Sequence, residues 1–313
     1  VKEETRKFEV LRVSILSHCS FACVYCAPKN KPDPTNLYPN IHYLSPELLE
    51  SKISALQPHI QIKEVHLTGG EPTLHKNLIP LIEKLKQLSI NEIAITSNGF
   101  FDDGLIPKMK MAGLTRMNFS LDSFSQNGFE RLSDRKLPVE RLMYRILEAK
   151  NLGLDVKVNC TVLKGYNESE ILDLLGWSGE NGITIRFLEF MRMGPLQEEH
   201  EDFFYSADKI RDTIGSKYNF SPYPTASDST ATYHITDNGY LFGIIANHTE
   251  PFCEGCNRLR MDSFGRIYGC LSDQTSFEIP LVNSEVQVVL KKAMDTKKNK
   301  FTGSQLSMKY IGG

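Results

Sequence analysis

Short β-prone runs alternate with helix-like segments along the first two thirds of this 313-residue chain. The runs are Val10 to Leu16, Glu64 to Leu67, Glu92 to Thr96, Arg116 to Leu121, Val156 to Val162 and Ile183 to Glu189. Between them, Pro46 to Leu56, Leu78 to Leu88, Leu105 to Ala112, Val139 to Lys150 and Glu168 to Leu175 carry apolar residues three and four positions apart, so each helix buries one face. Gly113 and Gly153 stand where helices need a C-terminal cap. Strand–helix alternation of this kind implies a parallel sheet with helices outside it. The expected class is α/β, either an open doubly wound sheet or a partial (βα)6 TIM-like barrel, six units being too few to close the eight-stranded form. Ligands in either arrangement gather at the C-terminal strand ends.

After about residue 200 the rhythm changes to short strands and turns, at Thr232 to Thr236, Tyr240 to Ala246 and Arg266 to Leu271. A division follows, with residues 1–200 forming the barrel and residues 201–313 a small C-terminal domain. The Lys-rich patch from Lys291 to Lys300 reads as solvated surface. Charge is balanced, 36 basic residues against 38 acidic ones, which argues against a nucleic-acid coat, and no apolar run approaches the ~20 residues of a membrane span. Val1 to Glu9 has no apolar leader stretch, so a cytoplasmic location is expected.

A reducing compartment makes disulfides a poor account of seven cysteines, six of which are clustered. Cys19-x3-Cys23-x2-Cys26 sits in the loop after the first strand. Three soft thiolates suit an iron–sulfur cube with one open iron, whereas a structural zinc site wants four ligands and finds only His18 nearby. Cys253-x2-Cys256-x13-Cys270 offers three more thiolates, and here a zinc knuckle is a stronger rival. Arg258 and Arg260 lie between those cysteines, on one side of the chain if it is extended, and would suit a phosphate-bearing ligand. Cys160, in an apolar strand, reads as a core residue.

With both triplets in view, the sequence resembles the radical S-adenosylmethionine (SAM) superfamily, and within it the GTP 3′,8-cyclase family that begins molybdenum-cofactor synthesis. The likeness runs from Leu11-Arg12-Val13-Ser14 to Gly312-Gly313. It takes in Thr68-Gly69-Gly70-Glu71-Pro72, Thr96-Ser97-Asn98-Gly99, Ser120-Leu121-Asp122, Val156-Lys157-Val158-Asn159 and Arg186-Phe187-Leu188-Glu189-Phe190-Met191.

The resemblance implies a [4Fe–4S] cluster on Cys19, Cys23 and Cys26, with SAM chelating its open iron, and a second [4Fe–4S] cluster on Cys253, Cys256 and Cys270 in the C-terminal domain. It implies SAM contacts from Tyr25, Gly70, Ser120 and Met191. GTP or a related nucleotide would be held by Arg12, Ser97, Lys157, Arg186, Arg258 and Arg260, and Gly312 and Gly313 would form a catalytic tail. The implied lyase reaction passes one electron to SAM. The resulting 5′-deoxyadenosyl radical takes the 3′ hydrogen of GTP, and C3′ then attacks C8 to give (8S)-3′,8-cyclo-7,8-dihydroguanosine 5′-triphosphate. An external one-electron donor, a downstream pterin synthase and a homodimer complete the expected partners, with no nucleic acid and no membrane among them.

Two departures from the family pattern carry expectations of their own. Glu64-Val65-His66 stands where a Lys-x-Arg pattern is usual, and His75 replaces a later basic residue. An acid at position 64 is expected to disfavour a triphosphate at close range, and a neutral imidazole cannot fork two phosphate oxygens. Two other readings follow: a related radical SAM enzyme acting on a different nucleotide or a peptide, and a non-enzymatic zinc protein that binds nucleotides.

Overall fold

The computed structural model describes residues 6–29, 42–226, 228–280 and 282–312. Six parallel strands, β1 (Val10–Ser14), β2 (Glu64–Thr68), β3 (Glu92–Ser97), β4 (Arg116–Ser120), β5 (Asp155–Val162) and β6 (Thr184–Glu189), lie side by side in chain order. Helices α1 (Pro46–Leu56), α2 (Leu78–Gln87) and α3 (Leu105–Ala112) connect the first four. The β4–β5 crossover holds two helices, α4 (Gln126–Ser133) and α5 (Val139–Asn151), and α6 (Ile171–Glu180) leads into β6. The fold is the expected partial barrel.

The C-terminal segment does more than append short strands. After α7 (His200–Phe203) and α8 (Ala207–Gly215), the strands β7 (Phe220–Tyr223), β8 (Thr232–Thr236) and β9 (Leu241–Ile245) extend the β6 edge. Strands β10 (Arg258–Met261) and β11 (Ile267–Tyr268) extend the β1 edge. β9 and β10 are parallel to the strands they join, so eight parallel strands run through the middle of one eleven-stranded sheet. Both edges of the six-stranded core are thereby paired rather than left open. Two further helices, α9 (Asn283–Asp295) and α10 (Met308–Ile311), close the chain.

Period-2 alternation explains how this sheet carries a polar interior. Leu11 and Val13, Val65 and Leu67, Met117 and Phe119, and Ile185 and Phe187 face the helices and are almost completely buried. Their neighbours Arg12, His66, Asn118 and Arg186 point to the opposite face, where each strand is one row of a ligand chamber. Cys160 is fully buried in the outer core, as its apolar strand implied. No helix among the described residues is long and apolar enough to cross a membrane.

Candidate active site in the barrel interior

The loop after β1 is folded by backbone contacts on three sides. Cys26 N–H and Ala27 N–H both donate to the Cys23 carbonyl (2.9 and 3.0 Å), a turn that draws Cys23 and Cys26 together. Ala22 and Val24 N–H reach Ser133 and Leu132 at the end of α4 (3.1 and 3.0 Å). From β2, Gly70 N–H donates to Leu16 O and Glu71 N–H to His18 O, each at 2.8 Å. A Cβ on Gly70 would lie 2.0 Å from the His18 carbonyl oxygen, so the paired glycines are there for the cysteine loop itself as well as for any ligand. Gly70→Ala is expected to unseat the loop and cut iron bound by the first triplet at least tenfold, measured by iron analysis after anaerobic reconstitution.

Both cysteine triplets open onto one cavity of about 660 Å³ between the strand ends and the C-terminal segment. Tyr25, Gly70, Ser120 and Met191 line it beside the first triplet. Arg12, Ser97, Lys157, Arg186, Arg258 and Arg260 line it as well, so residues from seven strands and their loops converge there. Gly312 reaches the same place from the chain's end: its carbonyl accepts from Arg12 Nε at 2.9 Å and from the Arg260 guanidinium. Gly313 lies outside the described residues.

The thiols sit in differing electrostatic surroundings: burial raises Cys253 as it does Cys19 and Cys23, whereas Cys256 is brought down. Removal from water pushes the Cys19 thiol up to about 12 and Cys23 well above its ordinary range, and the carboxylates of Glu71 and Asp122 add to the effect. Burial also raises Asp122 to about 6, against the opposing bonds from Tyr25 Oη (2.6 Å) and Thr161 N–H (2.8 Å). At the second triplet burial acts the same way on Cys256, but Lys297 and Arg258 overcome it and bring that thiol down to about 7. Lys297 Nζ donates to Cys256 Sγ at 3.2 Å.

Across the chamber, register places Arg260, Arg12 and His66 side by side on β10, β1 and β2. Burial lowers Arg12 well below its ordinary range and Arg260 to about 10, with neighbouring arginines reinforcing both shifts. His66 is kept neutral by burial and by Arg12 and Arg116; its ring contacts Arg12 (3.2 Å), Thr96 (2.8 Å) and Asn118 (3.2 Å). Arg186 donates to Asn159 (2.8 Å) and Asn118 (3.1 Å). Half-buried cations held this close repel one another, which makes the chamber wall receptive to an anion.

Several side chains behave differently from their sequence reading. Glu64 is no free negative charge, because Arg116, 52 residues away, binds its carboxylate and also Glu92 at 3.1 Å. Ser97 lines the cavity, yet its hydroxyl donates to Glu71 (2.8 Å) and accepts from Gly99 N–H (3.1 Å). Glu71, in the Gly-Gly-Glu segment, ties together Thr73, Ser97 and the Asn98 N–H. Lys297 faces the cavity rather than solvent, so the Lys-rich run is not uniformly surface. Sequence reasoning passed over Arg116 of β4 and Tyr233 of β8, which both line the cavity, and read Lys297 as solvated; strand alternation, which aims Arg116 inward, is the signal that could have found it.

Family comparisons agree with this geometry. Residues 13–177 match the radical SAM superfamily, and residues 183–302 match Molybdenum Cofactor Synthesis C. A protein from Aquifex aeolicus named GTP 3′,8-cyclase is 35% identical over 85% of this chain and 83% of its own length. Another so named, from Aliarcobacter butzleri, is 33% identical over 96% of this chain and 93% of its own. The chain belongs to the GTP 3′,8-cyclase family of the radical SAM superfamily. Streptococcus suis SuiB, solved bound to S-adenosylmethionine, shares the fold with TM-score 0.64 at 12% identity, over 90% of this chain and 65% of that one, just under two thirds of its length.

Membership of the radical SAM superfamily implies a [4Fe–4S] cluster and SAM. The first triplet fits that group: three thiols converge on one cavity, and Phe21 N–H already donates to Cys19 Sγ at 3.4 Å, the type of bond that steadies a cluster sulfur. Among the described residues no three Cys, His, Asp or Glu side chains are close enough to hold a single metal ion. A four-iron cube spreads its thiolates more widely than one ion does.

Proposed function

We propose that this chain is a GTP 3′,8-cyclase of molybdenum-cofactor biosynthesis, with its [4Fe–4S] cluster on Cys19, Cys23 and Cys26 and a second [4Fe–4S] cluster on Cys253, Cys256 and Cys270. The observation that carries the reading is one cavity lined by both triplets, with Arg12, Arg186, Arg258 and Arg260 gathered in it. When bound, the cluster and SAM supply the one-electron chemistry that opens the way to a C3′–C8 bond in the nucleotide. The chain's own residues bind, orient and shield.

Tyr25, Gly70, Ser120 and Met191 form the SAM side, where Asp122 fixes the Tyr25 ring through its hydroxyl. Arg12, Arg258 and Arg260 take the triphosphate, and Lys157 and Arg186, with Ser97, line the approach between the two sides. The Gly312 carbonyl holds Arg12 and Arg260 in one orientation before the nucleotide arrives, and Gly313 belongs to the same tail. In this reading residues 1–200 supply the radical chemistry and residues 201–313 supply the nucleotide's berth. The electron comes from an external donor, the product passes to a pterin synthase, and the setting is the cytoplasm. Sedimentation of the reconstituted protein tests whether it is a homodimer.

The decisive assay mixes the anaerobically reconstituted protein with SAM, a strong reductant and GTP. Expected are about eight irons per chain and 5′-deoxyadenosine formed together with a cyclised guanosine triphosphate. Deoxyadenosine without cyclised guanine would move the substrate to another nucleotide or a peptide. Two zinc ions and no iron would overturn the enzymatic reading.

A further inference from the structure

Helix α9 ends at Asp295, where Thr296 Oγ1 donates back to Ala293 O at 2.7 Å. One residue later the Lys297 N–H still reaches Met294 O (3.0 Å), so its backbone is fixed by the helix end. Gly269 packs against the same turn so closely that a Cβ would lie 1.7 Å from Ala293 O. Cys270 and Lys297 therefore arrive at one corner from two different elements. Lys297 Nζ crosses the Phe8 ring, 5.2 Å from its centroid, and donates to Cys256 Sγ (3.2 Å) and Arg258 O (2.9 Å). One acceptor is a thiol of the second triplet and the other is the first carbonyl of β10; neither is a carboxylate. Arg258 approaches the same sulfur, at 3.8 Å.

We propose that Lys297 is a positioning residue for the second triplet, whose N–H···S bond to Cys256 raises the reduction potential of the cluster that those cysteines hold. The proposal rests on the two-cluster reading given above. Hydrogen bonds to cluster sulfurs and the net charge around them set the potential, and a positive charge against a ligating sulfur favours the state with one more electron. Lys297 is the shorter of the two cationic donors to Cys256, so it carries most of the effect.

The test uses the full chain with Cys19, Cys23 and Cys26 replaced by alanine, so that any cluster signal comes from the second triplet. With Lys297 present, about four irons per chain are expected. Absence of iron in that background would overturn the second cluster itself. With iron bound, Lys297→Gln should lower the reduced-to-oxidised ratio at a fixed potential about tenfold, equal to ~59 mV for a one-electron couple, read by electron paramagnetic resonance. Lys297→Arg should restore most of it. Full iron with an unchanged midpoint in Lys297→Gln would overturn the role of Lys297. Iron lost in the Gln variant and kept in the Arg variant supports it; iron lost in both, with melting temperature unchanged, assigns Lys297 to packing and overturns it.

Discussion

Gly312→Val is expected to lower cyclised product by two to three orders of magnitude while iron content and SAM affinity stay as they are. Gly312 has φ +71°, and a Cβ there would lie 3.2 Å from the Arg12 backbone and from Thr68 Oγ1. A left-handed L residue costs about 1–2 kcal/mol. The carbonyl moved by that strain gives up a hydrogen bond to a charged group, about 1.5–3 kcal/mol. Together these weaken tail docking by roughly 2.5–5 kcal/mol, with 1.4 kcal/mol to each decade. Gly312→Ala, which avoids β-branching, should fall between the two. Wild-type turnover by the valine variant, measured as cyclised nucleotide per chain, would remove the tail from the site.

Arg260→Ala should raise the Michaelis constant for GTP about 10- to 150-fold, the span of one lost charged hydrogen bond, and Arg12→Ala should do the same. Each arginine is half-buried beside others and donates to the Gly312 carbonyl, so removing one sets relieved repulsion against a lost hydrogen bond in the nucleotide-free protein. Its melting temperature is therefore expected to change little while binding falls. A purely structural arginine would behave in the opposite way, losing stability first. Calorimetry on the variants with and without GTP separates the two, and unaltered GTP affinity in both variants would move the triphosphate elsewhere in the cavity.

Sequence reading located the six barrel strands to within a residue or two because apolar alternation is local, and Pro46–Leu56 and Leu105–Ala112 emerged with their observed ends. It missed α4, whose buried apolar residues are only Phe129 and Leu132, too few to mark a period. The directions of β9 and β10 were not legible, since a short strand carries no signal of the partner it will join. At the site, all six clustered cysteines and the ten proposed SAM and nucleotide residues line one cavity. What stayed hidden was pairing at long range. Glu64 read as a free acid because Arg116 is far away in the chain, and Lys297 read as solvated because its neighbours are lysines.

Carboxylates near the first triplet and cations beside Cys256 have a consequence for traffic through the chamber. SAM and GTP are both purine nucleosides of similar outline, so shape alone sorts them poorly. Their charges differ: one bears a sulfonium, the other a triphosphate. Docked the wrong way round in the proposed arrangement, a sulfonium would meet guanidiniums and a triphosphate would meet the Asp122 carboxylate, each like-charged pair costing up to about 4 kcal/mol at close range. With the sites assigned as proposed, an excess of either nucleoside is expected to leave the other's berth free.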